Sequence, residues 1–285
     1  MKQIVVISGK GGTGKTVIVA SFAALAENKI MVDCDVDASN LHLILTPAIK
    51  EKHSFKSGFT AIIDKDKCTE CGKCIEICRF EAIGADYRID PISCEGCAFC
   101  SFVCPVYAIK MEENLSGEWF ISETRYGPMV HAKLGIAEEN SGKLVSLVKQ
   151  KAKELAEKQN FDLIIIDGSP GIGCPVIASL SGVNYAVVVT EPTLSGLHDA
   201  DRVIQVAAHF EVPVKLIVNK YDLNIEITEE IERYCQDKDI DIIGKIPFDD
   251  SIVKAMVEGK TIIEYNSCKS AKEIRGIWGR LEENL

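Results

Sequence analysis

The sequence predicts an α/β fold, a doubly wound and mainly parallel sheet with a smaller α+β unit inserted into it. A short apolar strand at residues 3–7 runs into a glycine-rich loop and then an apolar helix at 15–27. Strand and helix patterns alternate again from residue 141 to the end, as in parallel sheets covered by helices. Between these parts lie two cysteine runs of the same spacing, which predict the inserted unit.

Length and charge limit the possible functions. A chain of 285 residues has room for one large domain and one small domain. Its net charge of −10 argues against a general nucleic-acid or anionic-membrane surface. Because no signal-peptide pattern precedes the first strand and no apolar run reaches the ~18–20 residues of a membrane span, we expect a cytoplasmic protein with no membrane partner. Twelve cysteines in a reducing compartment indicate metal rather than disulfides.

The glycine-rich loop, Ser8–Thr16, fits the pattern G-x-x-x-x-G-K-[ST] between a strand and a helix. Its glycines allow backbone N–H groups to surround a phosphate, and the helix N-terminus adds partial positive charge. Lys15 is expected to reach the terminal phosphates and Thr16 to hold Mg²⁺. The alternative is a glycine-rich turn without a ligand. The predicted phosphate-binding residues are Gly9, Lys10, Gly11, Gly12, Thr13, Gly14, Lys15 and Thr16.

A lysine directly after the first glycine narrows the class. The stretch G-K-G-G-T-G-K-T, with Lys10 in second place, resembles the deviant Walker A motif of the MinD/ParA/nitrogenase iron protein superfamily of P-loop NTPases. The resemblance implies ATP and ADP as ligands, slow partner-stimulated hydrolysis, and a nucleotide-dependent dimer with a second copy or a related ATPase. It also implies that Lys10 reaches the partner's nucleotide.

Carboxylates follow the second predicted strand, residues 29–34, where this fold class binds ligands. The pattern D-x-D-x4-N-L, from Asp33 to Leu41, resembles the switch I stretch of MinD-like ATPases. By that match Asp35 contacts Mg²⁺ or orients the attacking water, and Asp33 lies behind it. An acidic solvated loop is the alternative.

Eight of the twelve cysteines form the two runs, which are C-x2-C-x2-C-x3-C repeats 26 residues apart. This is the spacing of bacterial two-cluster ferredoxins, in which the fourth cysteine of each run binds the other cluster. One [4Fe–4S] cluster is therefore assigned to Cys68, Cys71, Cys74 and Cys104, and the second to Cys94, Cys97, Cys100 and Cys78. Zinc is the alternative, but triple C-x2-C-x2-C runs match zinc ribbons poorly. Since an oxidised cluster with four thiolates adds about −2, a partner with a basic docking patch is expected.

The cluster unit is expected to be an insertion, residues 57–113, into an ATPase domain formed by residues 1–56 and 114–285. It leaves the ATPase domain just after the predicted switch I. Because switch loops are ordered by phosphate and Mg²⁺ contacts, a segment there is able to respond to the γ-phosphate.

An apolar strand at residues 161–167 ends in Asp167, the pattern of a Walker B strand whose aspartate holds Mg²⁺ through water. The residues that follow resemble a switch II loop, in which we expect the Gly171 amide to sense the γ-phosphate. Cys174 lies at the offset of a cluster-ligating cysteine in the nitrogenase iron protein. Three interpretations stay open for it: an inert buried thiol, a thiol that hands on metal, or a ligand of a dimer-bridging cluster.

A strand at residues 212–220 ends in Asn219-Lys220-Tyr221-Asp222, which also fits the N-K-x-D motif of GTPases. In MinD-like proteins the asparagine meets adenine instead, and the P-loop type favours ATP. Pro247 and Phe248 resemble the segment that passes over the adenine. The C-terminal helix, residues 271–285, has as many acidic as basic residues, so packing on the core is expected rather than membrane binding.

Two functions are compatible with these motifs. The first is a nucleotide-gated redox protein in which ATP closes a dimer and an electron passes from the clusters to a redox partner. The second is an ATPase that carries metal or iron–sulfur clusters to a partner metalloprotein.

Overall fold

A computed structural model describes residues 1–135, 141–265 and 267–285, and its chain divides into two units. The first unit comprises Met1–His53, Trp119–Lys133 and Ser141–Leu285. The second comprises Ser54–Glu118 and continues at Leu134.

The described residues form nine strands, eleven α-helices and one 3₁₀ turn at Tyr221–Leu223. The strands are β1 (Lys2–Ser8), β2 (Lys29–Asp33), β3 (Ala48–Ile63), β4 (Ile109–Thr124), β5 (Gly127–Leu134), β6 (Leu163–Pro170), β7 (Tyr185–Thr190), β8 (Val214–Asn219) and β9 (Asp241–Ile246). The helices are α1 (Lys15–Leu25), α2 (Leu41–Leu45), α3 (Lys73–Ile77), α4 (Phe99–Val103), α5 (Ser141–Gln159), α6 (Cys174–Leu180), α7 (Leu194–His209), α8 (Ile225–Asp237), α9 (Asp250–Val257), α10 (Ile262–Tyr265) and α11 (Lys269–Glu282).

The strands are ordered β3-β4-β5-β2-β6-β1-β7-β8-β9. Strand β1 pairs in parallel with β6 and β7, β2 with β5 and β6, and β8 with β7 and β9. The predicted mainly parallel sheet is therefore confirmed. Its central strands are apolar and buried on both faces, as parallel sheets require. Because these strands are parallel, the loops after β1, β2, β6, β7 and β8 all leave the same edge of the sheet.

Helices α1 and α11 cover one face of this sheet. Trp278 of α11 packs against Phe22 of α1 with ring centroids 5.1 Å apart. Ile274, Ile277 and Leu281 on the same face of α11 are buried as well. The expectation that the C-terminal helix packs on the core is confirmed. Among the described residues, no helix is long and apolar enough to cross a membrane.

The second unit is built from two copies of one backbone pattern. Helices α3 and α4 begin 26 residues apart, and each follows a left-handed residue, Gly72 (φ 77°) or Ala98 (φ 64°). The start of each copy is hydrogen-bonded to the end of the other. Asp64 N–H donates to Ala108 O (2.7 Å), and Asp90 N–H donates to Ala82 O (2.8 Å). Each cysteine run is thereby held at the end of the other.

Candidate functional site

A cavity of about 610 Å³ lies at the edge of the first unit's sheet, within the range of small-ligand sites. The P-loop forms its floor, and its walls come from the segments after β2, β8 and β9. The predicted residues that line it are Gly11, Gly12, Thr13, Gly14, Lys15, Thr16, Asp35, Asn219, Pro247 and Phe248. Gly9, Lys10, Asp167 and Gly171 do not line it.

Glycine is required in the P-loop for two different reasons. Gly12 (φ 80°) and Gly14 (φ 89°) are left-handed, and a Cβ on Gly14 would lie 2.4 Å from Asn219 Nδ2. A Cβ on Gly11 or Gly12 would meet no atom within 4 Å. The loop therefore leaves open space beside its backbone N–H groups, as a phosphate needs.

Lys15 is held between carboxylates at the start of α1. Its Nζ donates to Asp167 Oδ1 at 2.7 Å and lies 3.6 Å from Asp35 Oδ2, with 6% of the side chain exposed. Burial alone would lower the pKa of Lys15, but the charges of Asp167 and Asp35 outweigh burial and raise the pKa. Lys15 is thus a buried cation beside the open phosphate space.

Two buried polar atoms at this place have no hydrogen-bond partner among the described residues, Thr13 Oγ1 and Asp167 Oδ2. An unpaired buried oxygen costs about 1–3 kcal/mol, so such atoms call for an explanation. Carboxylate and hydroxyl oxygens are ligands that Mg²⁺ and its bound waters prefer. The unpaired oxygens of Thr13 and Asp167, together with Asp35 and Thr16 in the lining of the cavity, therefore fit a nucleotide with Mg²⁺.

Asp33 lies behind this site and is fully buried. It accepts hydrogen bonds from Asp35 N–H (3.0 Å) and Ser39 Oγ (2.6 Å) and so fixes the segment after β2. Burial, together with the nearby charge of Asp167, raises the pKa of Asp33 to about 7.

Lys10 points away from the cavity, toward the start of α7. Its Nζ lies 2.8 Å from Glu191 Oε1 and 3.2 Å from both Thr193 Oγ1 and Ser195 Oγ. Its neighbour Gly9 approaches the same helix, since a Cβ there would lie 2.3 Å from the carbonyl of Asp199. Within one chain, therefore, Lys10 is bound to Glu191 rather than to the nucleotide cavity.

Gly171 begins the loop after β6 with a left-handed backbone (φ 90°). Its N–H donates to Ser8 O at 2.9 Å, which ties this loop to the beginning of the P-loop. Cys174 follows at the start of α6 and is exposed, so the inert buried thiol is ruled out.

The segment after β8 is held in place by two hydrogen bonds. Asn219 Nδ2 donates to Thr13 O (2.7 Å), and Phe248 N–H donates to Asp222 Oδ1 (2.7 Å). Asp222 Oδ1 is thus engaged with the backbone beside Pro247, and Asp222 is not among the described residues that line the cavity.

Several residues of the site escaped the sequence analysis. Glu191 is one, because a glutamate after a strand has no distinctive spacing. The others form the apolar wall of the cavity, which includes Leu43, Ile252, Val253 and Met256. The last three lie on α9, and the spacing of apolar residues from 250 to 257 could have predicted that helix.

The eight cysteines of the second unit line two small cavities, four to each. Cys68, Cys71, Cys74 and Cys104 line one. Cys78, Cys94, Cys97 and Cys100 line the other. In the described ranges, no three His, Cys, Asp or Glu side chains converge enough to hold one metal ion. In a [4Fe–4S] cluster each of the four thiolates binds a different iron, so the sulfur atoms lie farther apart than the ligands of a single metal ion. Four cysteines around each cavity fit that donor set.

The chain is similar to proteins of a known nucleotide-binding family. Residues 4–262 match the family described as the CobQ/CobB/MinD/ParA nucleotide binding domain. An uncharacterised protein of Methanocaldococcus jannaschii is 35% identical over 99% of this chain and 96% of its own length. The septum site-determining protein MinD of Bacillus subtilis is 27% identical over 92% of this chain and 81% of its own.

A shorter match involves the pyruvate synthase subunit PorD of Methanothermobacter marburgensis. It is 46% identical over 56 residues, which are 20% of this chain and 69% of that subunit.

Solved structures share the fold. The cell division ATPase MinD of Pyrococcus furiosus has a TM-score of 0.60 at 18% identity and covers 100% of this chain and 99% of its own. MinD of Pyrococcus horikoshii complexed with Mg-ADP also has a TM-score of 0.60 at 18% identity, over 99% of this chain and 96% of its own.

Proposed function

The chain belongs to the CobQ/CobB/MinD/ParA nucleotide binding domain family, and on this premise we propose that it is an ATPase that gates electron transfer. In this proposal ATP binds the first unit and promotes a dimer with a second copy or a related ATPase. Electrons pass through two [4Fe–4S] clusters in the second unit to a redox partner protein. The observation that carries the proposal is the division of eight cysteines into two four-cysteine cavities in a chain that also has a complete P-loop.

The nucleotide in the proposal is ATP rather than GTP. Asp222, the residue that would read guanine, already accepts a hydrogen bond from the backbone of Phe248. Asn219 and Phe248 line the far end of the cavity, where a base would lie. Relatives with similar sequences include MinD, and a MinD structure holds Mg-ADP.

Bound Mg²⁺ would neutralise phosphate charge, and the clusters would supply one-electron chemistry. The chain's own residues bind and orient. Lys15 lies beside the open phosphate space with its pKa raised, so it remains a cation. Asp35 and Asp167 are the carboxylates for the metal and its waters, and Asp33 holds the segment that carries Asp35.

Lys15 and Gly171 couple the nucleotide to the surrounding loops. Lys15 Nζ donates to Asp167 Oδ1, and the Gly171 N–H donates to Ser8 O. A γ-phosphate offers a new acceptor to both groups, so its arrival releases Asp167 and the loop after β6. The chain leaves the Asp33–Asp35 segment through α2 and β3 and reaches the second unit at Ser54, which gives the switch a covalent route to the cluster unit.

The test is reduction of cytochrome c by the purified, anaerobically reduced protein, with and without ATP. Lys15→Ala removes the cation beside the phosphate space, so we expect the ATP-dependent rate to fall at least ~100-fold. Iron and sulfide content should stay near eight per chain, since Lys15 lies outside the second unit.

Lys153→Ala is the matched control, because Lys153 is an exposed lysine of α5 that does not line the cavity. It should behave as the wild type. A reduction rate that ignores nucleotide in the wild type would refute gating, and iron-free protein would refute the clusters.

A carrier ATPase that delivers metal or clusters to a metalloprotein is the second candidate, and the exposed Cys174 favours it. Cys174→Ser separates the two functions. Loss of delivery to an apoprotein with unchanged cytochrome c reduction supports the carrier, whereas unchanged delivery excludes a role for this thiol.

A further inference from the structure

The two repeats of the second unit have the same backbone but different surfaces. Glu81 and Tyr107, equivalent positions 26 residues apart, have φ of 52° and 51°. Their N–H groups make matching hydrogen bonds of 3.3 Å to Cys78 O and Cys104 O. Side-chain differences at equivalent positions are therefore not imposed by the backbone.

At four such positions the first repeat has a charged side chain and the second an exposed apolar or aromatic one. The exposed fractions of the second-repeat side chains are 80% for Ile92, 60% for Phe99, 88% for Phe102 and 81% for Tyr107. The first-repeat residues at these positions are Asp66, Lys73, Glu76 and Glu81, all exposed. Because the charged residues suit the same backbone, folding does not require the apolar ones.

We call these four residues the second-repeat face. Ile92, Phe102 and Tyr107 line neither cysteine cavity, whereas Phe99 lines one of them. Phe80 and Val106 occupy one equivalent pair, both are apolar, and each lines a cavity. Phe99 and Phe102 are three residues apart on α4 and therefore lie on the same side of that helix. Large exposed apolar side chains on one side of an element are typical of an interaction surface.

We infer that the second-repeat face is the docking surface for a redox protein whose cofactor edge lies in an apolar patch flanked by lysine or arginine. The inference rests on the proposed function. Residues 89–109 contain two carboxylates, Asp90 and Glu95, and no lysine or arginine, so the segment that carries the face is acidic. The equivalent first-repeat residues, 63–83, carry charges of both signs. Charge complementarity therefore selects a basic partner for this face.

The position of Phe99 identifies the cluster site closest to the docked partner. Phe99 is exposed, yet it also lines the cavity of Cys78, Cys94, Cys97 and Cys100. At the equivalent position Lys73 borders the other cavity. In this proposal electrons would enter or leave at the site of these four cysteines, because an apolar side chain of the docking face lines that cavity, whereas a lysine occupies the equivalent position in the other.

The test uses cytochrome c, a basic redox protein with an exposed cofactor edge, as the probe. Phe99→Lys with Phe102→Glu transplants the first repeat's residues and leaves the net charge unchanged. We expect the dissociation constant, measured by calorimetry at low salt, to rise at least tenfold, and the electron-transfer rate to fall in parallel. Glu95→Gln should weaken the salt dependence of binding.

Lys73→Ala with Glu76→Ala is the matched control on the first repeat, and its affinity should lie within twofold of the wild type. Equal affinities for both double variants would overturn the docking face. So would a wild-type dimer, seen by sedimentation, that Phe99→Lys with Phe102→Glu dissociates, because the face would then bind a second copy. Iron-free samples contradict the proposed function itself, whereas iron-loaded samples indifferent to Phe99 and Phe102 contradict only the docking face.

Discussion

Lys15 and the carboxylates around it determine the distribution of charge in the nucleotide site. Asp167 neutralises Lys15 on one side, while its second oxygen is buried with no hydrogen-bond partner in the described part of the chain. Asp33 is buried behind them with its pKa raised by burial. These charges form an arrangement that a Mg-nucleotide is able to complete.

Asp33 should make the stability of the first unit depend on pH. Its folded pKa of about 7 exceeds its ordinary value of 3.8, so the folded state binds the extra proton between these values. Its contribution to the free energy of unfolding therefore falls as pH rises from about 4 to about 7 and is flat above. Asp33→Asn should remove this slope, a difference of roughly 2 kcal/mol between pH 5 and pH 7.

Urea unfolding of nucleotide-free protein measures this difference through tryptophan fluorescence, since both tryptophans, Trp119 and Trp278, belong to the first unit. Parallel pH profiles for wild type and variant would show that Asp33 does not hold a proton near neutrality.

Asp222 should set the affinity for ATP without taking part in hydrolysis. Asp222→Ala removes the acceptor of the Phe248 N–H, so the segment over the base loosens. A hydrogen bond to a charged group contributes about 1.5–3 kcal/mol, so we expect ATP to bind at least ~10-fold more weakly with the hydrolysis rate at saturation unchanged.

Titration with a fluorescent ATP analogue and with GTP checks this, with Asp237→Ala on α8 as the control. A selective loss of GTP binding in Asp222→Ala would instead mean that this carboxylate reads guanine.

Among the elements, the loop from β6 to α6 joins the nucleotide site to the surface. Gly171→Ala should impair the response to the γ-phosphate and spare nucleotide binding. A Cβ there meets no atom within 4 Å, so the cost is left-handed strain of about 1–2 kcal/mol and not a clash. We expect ADP affinity within threefold of the wild type and ATP-dependent dimer formation reduced at least ~10-fold.

Gly182→Ala is a close control, because Gly182 is also left-handed (φ 73°) with no atom near its Cβ. Sedimentation with ADP and with an ATP analogue measures the dimer. If ATP-dependent dimer formation fell equally in both variants, the effect of Gly171→Ala would be due to general backbone strain and not to a response to the γ-phosphate.

Sequence patterns predicted the elements well where burial has a clear period. The helix pattern expected from residue 141 onward is observed as α5, Ser141–Gln159. Its buried stripe is formed by Leu144, Val145, Val148, Ala152 and Ala156. The five-residue helix α2 was not predicted, because so few residues do not show a helical period, whereas the apolar spacing of α9 was overlooked. The partner of Lys10, Glu191, was out of reach because chain separation hides such contacts from local patterns.

The whole molecule combines a nucleotide site in the first unit with two cysteine cavities in the second. The P-loop and the cysteine spacing predicted both, because each motif encodes a ligand geometry in a few consecutive residues. Which surface meets a partner could not be predicted, since it depends on exposure at equivalent positions of two folded repeats.

The most direct test of the coupling is a redox titration of both clusters followed by EPR, without nucleotide, with ADP and with ATP. We expect ATP to shift the midpoint potential of at least one cluster by roughly 60 mV, which corresponds to a tenfold change in a one-electron equilibrium constant. The shift should be absent in Lys15→Ala. Two cluster potentials that are the same in all three nucleotide states of the wild type would contradict it.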